Sequence, residues 1–203
     1  MTPVKETALR HGIPVYQPVR AREASFVEEM RALEPDVMVV IAFGQILSRE
    51  LLDVPRYGCV NIHASLLPKY RGAAPIQWAV INGDRETGIT TMMMDTEMDT
   101  GDMLEKKVIA LDEKETGGSL FDRLSLLGGD LILSTLDKME AGTLVPEKQD
   151  HEKATYVKKI SKSMGDIDWT MDAAAIERLI RGLNPWPSAY TRLNGRMLNC
   201  LLY

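Results

Sequence analysis

Residues 36–63 read DVMVVIAFGQILSRELLDVPRYGCVNIH, and the alternation inside this stretch decides the fold. Asp36 opens Val37–Ala42, an unbroken apolar run. Its length and β-branched content fit a strand buried on both faces, as strands of parallel sheets usually are. A Phe43-Gly44 turn, a helical stretch from about Ile46 to Leu52 and a second apolar strand, Gly58–His63, complete a strand–helix–strand unit. Such a unit predicts a doubly wound α/β domain with a mostly parallel sheet, in which ligands gather beyond the carboxyl ends of the strands. The chemistry is therefore expected after Ala42 and after Ile62.

The flanking sequence extends this pattern. On the N-terminal side, Ile13–Gln17 reads as a short extended piece. Ser25 is placed to cap a helix Phe26–Leu33, with Glu28 completing a capping box and Pro35 ending it. On the C-terminal side come a helix from about Ala74 to Val80, a strand Gly88–Met94, a loop Asp95–Asp102 and a strand Met103–Ala110. Ser119–Glu140 reads as mostly helical, with a weak point at Gly128-Gly129. Residues 145–165 are polar and lysine-rich without an apolar stripe, and read as a linker. Beyond it, Ala173–Arg181 is a short helix and Asn184-Pro185-Trp186-Pro187 a rigid turn. Asn194-Gly195, between Tyr190–Leu193 and Met197–Leu202, signals a hairpin and the start of a smaller β-rich domain.

Composition narrows the class. The 203 residues are 45% apolar and 26% charged, an ordinary globular balance that argues against disorder. No apolar run approaches the roughly 20 residues of a membrane span, so a cytoplasmic chain is expected, without a membrane partner. Cys59 and Cys200 lie far apart without metal-ligand spacing; they read as reduced thiols, and no metal is expected. A net charge of −5 carries no global sign of nucleic-acid binding, although a local basic patch is compatible with it.

Asn61 and His63, two apart at a strand end, leave the sheet on one face. An amide that can donate to a carbonyl oxygen gaining negative charge, beside an imidazole that exchanges a proton near neutral pH, suits acyl transfer to an amine. Alone, an Asn-X-His at a strand end is more often a turn-forming Asn and a hydrogen-bonded His. Two neighbours change the balance: the string Ser65–Trp78, SLLPKYRGAAPIQW, and the acidic loop Met98-Asp99-Thr100-Gly101-Asp102.

Asn-Ile-His followed by SLLPKYRGAAPIQW and MDTGDM resembles the folate-dependent formyltransferases, and the longer string resembles the branch that formylates initiator methionyl-tRNA. The Asn-Pro-Trp-Pro turn strengthens the likeness, which runs from about Pro3 to Met197. It implies a Rossmann-like formyltransferase domain over 1–144, the linker 145–165 and, over 166–203, the beginning of a small OB-like β-barrel. It implies a monomeric enzyme of the cytoplasm that moves a formyl group from 10-formyltetrahydrofolate to the α-amine of initiator methionyl-tRNA for translation initiation. The alternatives are transfer to an amino sugar nucleotide, or a truncated folate- or RNA-binding fragment without turnover. By the same resemblance Asn61 binds the formyl oxygen, His63 assists proton movement, and Asp99 supports the imidazole or receives a proton through water. Ser65, Leu66, Leu67 and Pro68 would lie along the folate, and Phe43, Gly44 and Leu47 would help enclose its pteridine through backbone contacts. Taken alone, Phe43 is equally a core aromatic, and Asp102 competes with Asp99. Arg71 could meet a phosphate or the folate tail, or be solvated. Lys153, Lys158, Lys159, Lys162, Arg178 and Arg181 could form a basic track for an acceptor stem, or a solvated face. The family's first strand and its Gly-Thr-Pro turn would precede Met1, and its barrel would continue past Tyr203, so an N-terminally and C-terminally incomplete chain is expected.

Overall fold

The computed structural model describes residues 1–201, so the last residue of the expected strand Met197–Leu202 lies outside the described residues. Its main sheet has four strands in the order β1 (Met38–Val40), β2 (Cys59–His63), β4 (Glu86–Met93), β5 (Met103–Ala110). The α/β expectation holds. β1 and β2 run parallel, joined through the helix α3 (Arg49–Leu52), as the opening stretch predicts. β4 runs antiparallel to β2, and β5 runs antiparallel to β4, to which the 95–102 loop joins it directly without a helix.

Helices cover both faces of β2. Odd-numbered Cys59 faces a core of Ala21, Val27, Leu47, Leu51 and Leu52, built from α2 (Ala24–Ala32), α3 and the chain around them. Even-numbered Ile62 faces the opposite core, where Val80 of α4 (Pro75–Asn82) and Leu120 and Leu124 of α5 (Gly117–Glu140) meet Ile89. Period-two alternation of the strand thus serves two helix layers at once. α5 runs unbroken through Gly128-Gly129. A Cβ on Gly128 would stand 3.3 Å from Ile62, so the glycine permits the helix to approach the sheet closely at that point.

Two expectations near the N-terminus need correction. Ser25 lies inside α2, whose N-cap is Glu23 without a side-chain cap bond. β1 is shorter than Val37–Ala42 and is covered on one face: Met38 and Val40 pack against the first core, whereas Val39 (43% exposed) and Ile41 (51%) face outward. β1 is the edge strand among the described residues, and its second face is open to solvent at Val39. Ahead of α2 stands a further helix, α1 (Pro3–Arg10), with no buried residue.

Residues 145–165 are docked. Glu147 exchanges two backbone hydrogen bonds of 2.8 Å with Met103. β6 (Tyr156–Val157) pairs in parallel with the short strand β3 (Arg71–Gly72). Glu147 and Tyr156–Val157 of the crossing chain are thus bound to the first part, whereas Gly165 lies against Ser188 and Tyr190 of the second. After α6 (Ala173–Gly182), β7 (Ala189–Leu193) and β8 (Arg196–Cys200) form the expected hairpin, with Asn194 (φ 49°) and Gly195 (φ 76°) both left-handed as a two-residue Asn-Gly turn requires.

Candidate active site at the end of β2

The site begins where β2 leaves the sheet. Asn61 and His63 share a face, set by the register Asn61–Met92 and His63–Thr90 across to β4. Asn61 is half-buried, and its amide makes no hydrogen bond among the described residues, so its N–H groups are free for a ligand.

His63 is 6% exposed. Its Nε2 lies 2.9 Å from the carbonyl oxygen of Tyr70. A carbonyl only accepts, so Nε2 carries the proton in that bond, and Nδ1 is the nitrogen left to face the site. Nδ1 stands 3.7 Å from Asp99 Oδ1. That is ion-pair distance and too long for a direct hydrogen bond, leaving a proton to pass through water or through a small closure.

Asp99 comes from the loop between β4 and β5, and its backbone is at φ 56°, a left-handed conformation that aspartate tolerates better than most residues. Its Oδ2 accepts from the backbone N–H of Gly72 at 2.8 Å. Gly72 itself has φ 103°, and a Cβ there would meet the carbonyl oxygen of Val157 at 2.6 Å, so only glycine fits where β3 touches both Asp99 and β6. Asp102, the competitor, lines a neighbouring cleft, whereas Asp99 is the carboxylate within ion-pair distance of His63.

Arg71 corrects the expectation of a ligand-reaching or solvated arginine. It is 1% exposed. Its Nε and Nη2 donate to Gln149 Oε1 at 3.0 and 2.8 Å, and Nη1 donates to the Tyr156 hydroxyl at 3.0 Å. Two further contacts of 3.4 Å reach His151 Nδ1. No carboxylate lies within ion-pair distance of it among the described residues, so an amide, a phenol and an imidazole disperse the buried charge. Gln149 lies in the stretch read as a linker, where nothing in the local sequence marks it; only its separation of 78 residues from Arg71, closed by the fold, reveals the pairing.

The expected folate-side residues divide. Ser65 and Leu67 point inward: Ser65 Oγ donates to the Lys69 carbonyl at 2.6 Å, and Leu67 packs with Met92 and Met103. Leu66 and Pro68 are half-buried, and Leu66 borders a small cavity of about 130 Å³ with Tyr70 and Asp84. Phe43 (45% exposed) and Gly44 stand open beyond β1, whereas Leu47 is in the first core. A larger cleft of about 630 Å³ adjoins the Asp99 loop, lined by Met94, Glu97, Thr100, Lys148 and Gln149 among others. Burial pushes the Cys59 thiol up to about 11, with Asp53 adding to the effect, so at neutral pH it is a protonated core residue.

The basic residues also divide. Arg178 Nε donates to the Ile81 carbonyl at 3.2 Å, and Arg181 is bound to Glu177 and to the Glu115 carbonyl. Lys153 pairs with Asp150 at 2.8 Å, while Lys158, Lys159 and Lys162 are exposed. No cluster of metal-ligating side chains occurs among the described residues, nor any helix long and apolar enough to cross a membrane.

Comparison with known proteins adds to this geometry. Residues 1–136 match the family model described as formyl transferase, and residues 159–202 match the one described as formyl transferase, C-terminal domain. The chain is 61% identical over 195 residues to methionyl-tRNA formyltransferase of Agathobacter rectalis, covering 96% of this chain and 63% of that protein. It is 59% identical over 197 residues to methionyl-tRNA formyltransferase of Lachnospira eligens, covering 97% and 62%. The chain thus spans under two thirds of the length of these curated relatives. In fold it resembles a sugar N-formyltransferase from a Shewanella species (TM-score 0.78, 23% identity, 97% of this chain and 79% of that one). It also resembles HypX from Aquifex aeolicus, solved in complex with tetrahydrofolic acid (TM-score 0.75, 19% identity, 89% and 32%).

Proposed function

From the premise that this chain belongs to the formyl transferase family, we propose that its β2 site moves a formyl group from 10-formyltetrahydrofolate to the α-amine of initiator methionyl-tRNA. The observation that carries this reading is the pairing of His63 and Asp99 at 3.7 Å beside the unengaged amide of Asn61. The 61% and 59% identity to methionyl-tRNA formyltransferases supports the acceptor. The tetrahydrofolic acid held by the structurally similar HypX supports the donor class.

The α-amine of the acceptor attacks the formyl carbon, and the carbonyl π electrons move to oxygen. Asn61 donates its amide N–H to that oxyanion, an interaction that strengthens as charge develops. The attacking nitrogen must then lose a proton, and N10 of the folate must gain one before its bond to the formyl carbon breaks. In this reading His63 Nδ1, 3.7 Å from Asp99 Oδ1, carries that proton, and the Asp99 carboxylate steadies the positive imidazolium while it lasts. The oxyanion collapses, the C–N10 bond breaks, and formyl-amide and tetrahydrofolate leave. No covalent enzyme intermediate is required. This reading implies a monomer acting in the cytoplasm at the start of translation.

The test is direct. Purified chain, 10-formyltetrahydrofolate and methionyl-tRNA are expected to give formyl-methionyl-tRNA, and His63→Ala is expected to lower kcat by about 10²–10⁴-fold. Product from an amino sugar nucleotide alone, or an unchanged rate in the variant, would overturn the assignment.

A further inference from the structure

A closed ring of contacts surrounds the Asp99 loop and lies outside the reacting triad. Gly72 N–H holds the Asp99 carboxylate at Oδ2, at 2.8 Å. Gln149 Nε2 holds the main chain of the same loop, donating to the carbonyl oxygens of Asp99 (2.8 Å) and Gly101 (2.7 Å). Gln149 Oε1 in turn accepts two hydrogen bonds from Arg71, the residue covalently joined to Gly72. Side chain and backbone of Asp99 are thus gripped from one short strand, directly and through a single amide. Gln149 is 5% exposed, and the loop it grips carries Asp99 in the left-handed region at φ 56°.

We infer that Gln149 is a positioning residue for the formyl-transfer site, fixing Asp99 against His63 Nδ1 by tying its loop to the buried guanidinium of Arg71. Only an amide has the bonding pattern this position demands, since one end must accept from a cation while the other donates to two carbonyls. A carboxylate at 149 would satisfy Arg71 more strongly yet offer no N–H to Asp99 or Gly101. Methionine would keep the volume and make none of the four bonds. Loss of the grip removes the two hydrogen bonds that hold the loop's main chain, and a displacement of about 1 Å at a reacting group can cost about 10²-fold in rate.

This inference rests on the proposed formyl transfer for its kinetic arm only. Q149E is the discriminating variant, because a role confined to satisfying Arg71 is rescued by glutamate and a role in holding Asp99 is not. The measurements are kcat and KM, the thermal midpoint, and the 15N resonance of His63 Nδ1, assigned with D99N as the reference for a site without its carboxylate. The expected result is a folded Q149E protein whose kcat falls about 10²-fold with little change in KM, and whose His63 Nδ1 signal leaves the wild-type position. Q149M is expected to move that signal toward the D99N position. If Q149M does not fold, the double variant R71M/Q149M removes the buried charge along with its partner and serves in its place. Wild-type kcat and a wild-type Nδ1 resonance in Q149E would overturn the inference. A wild-type chain with no turnover would count against the formyl-transfer reading alone, since the resonance comparison still decides the role of Gln149.

Discussion

The two sides of β2 are built differently. Toward β4, polar side chains are locked: His63 on the Tyr70 carbonyl, Asp99 on Gly72, Arg71 on Gln149, and β4 itself packs under α4 and α5 through Ile89. Toward β1, the strand end opens into apolar side chains with bare faces, Val39, Ile41, Phe43 and Ile46. The strand carrying Asn61 and His63 is common to both. Rigidity at this site therefore comes from contacts that bridge long separations in sequence, and the strand supplies only the starting positions.

This contrast can be broken in three places. The largest effect is expected in the closed side's core: Leu120, 0% exposed on α5, replaced by alanine should cost about 2–5 kcal/mol in urea unfolding. A loss under about 1 kcal/mol would show that side to be loosely packed and erase the distinction. Next is Tyr70, whose carbonyl orients His63 and whose hydroxyl donates to Asp84 at 2.7 Å. Burial pushes its phenol up to about 12, Asp84 adding to the effect and the Asn82 amide opposing it. A folded-state value raised above the ordinary value of about 10 means that the neutral phenol's contribution is complete below about pH 10 and is lost as pH rises toward 12. Melting temperatures of wild type and Y70F should therefore converge across that window; a constant gap would refute the coupling. The smallest effect is expected on the open side, where Ile41→Thr should change stability by no more than about 0.5 kcal/mol. A substantially larger loss would mean that this face is covered in solution.

How far the sequence announces this arrangement follows from the range over which its signals act. Apolar periodicity is local, so β2, β5 and α5 are legible nearly to the residue, and the i, i+2 relation of Asn61 and His63 puts them on one face. Strand direction beyond β2 is not legible, because a buried antiparallel strand such as β4 reads as the same apolar run as a parallel one. The one-sided burial of β1 escapes notice for a related reason: Val39 and Ile41 have the composition of core residues and lack the second layer. Arg71 and Gln149 are illegible for a third. A buried cation is recognisable only with its partners, and these are 78 to 85 residues away in a stretch that looks like a solvated connector.

That separation has a consequence for synthesis. When the ribosome has released β2, β3, β4 and the Asp99 loop, the nascent chain already holds Asn61, His63 and Asp99, yet Arg71 has none of its acceptors and β3 has no neighbour. Both arrive together, with Gln149 and β6, only after some fifty further residues beyond the aspartate have emerged. A truncated translation product ending before position 149 would thus display Asn61, His63 and Asp99, the proposed reacting groups, and still lack the contacts that hold them together.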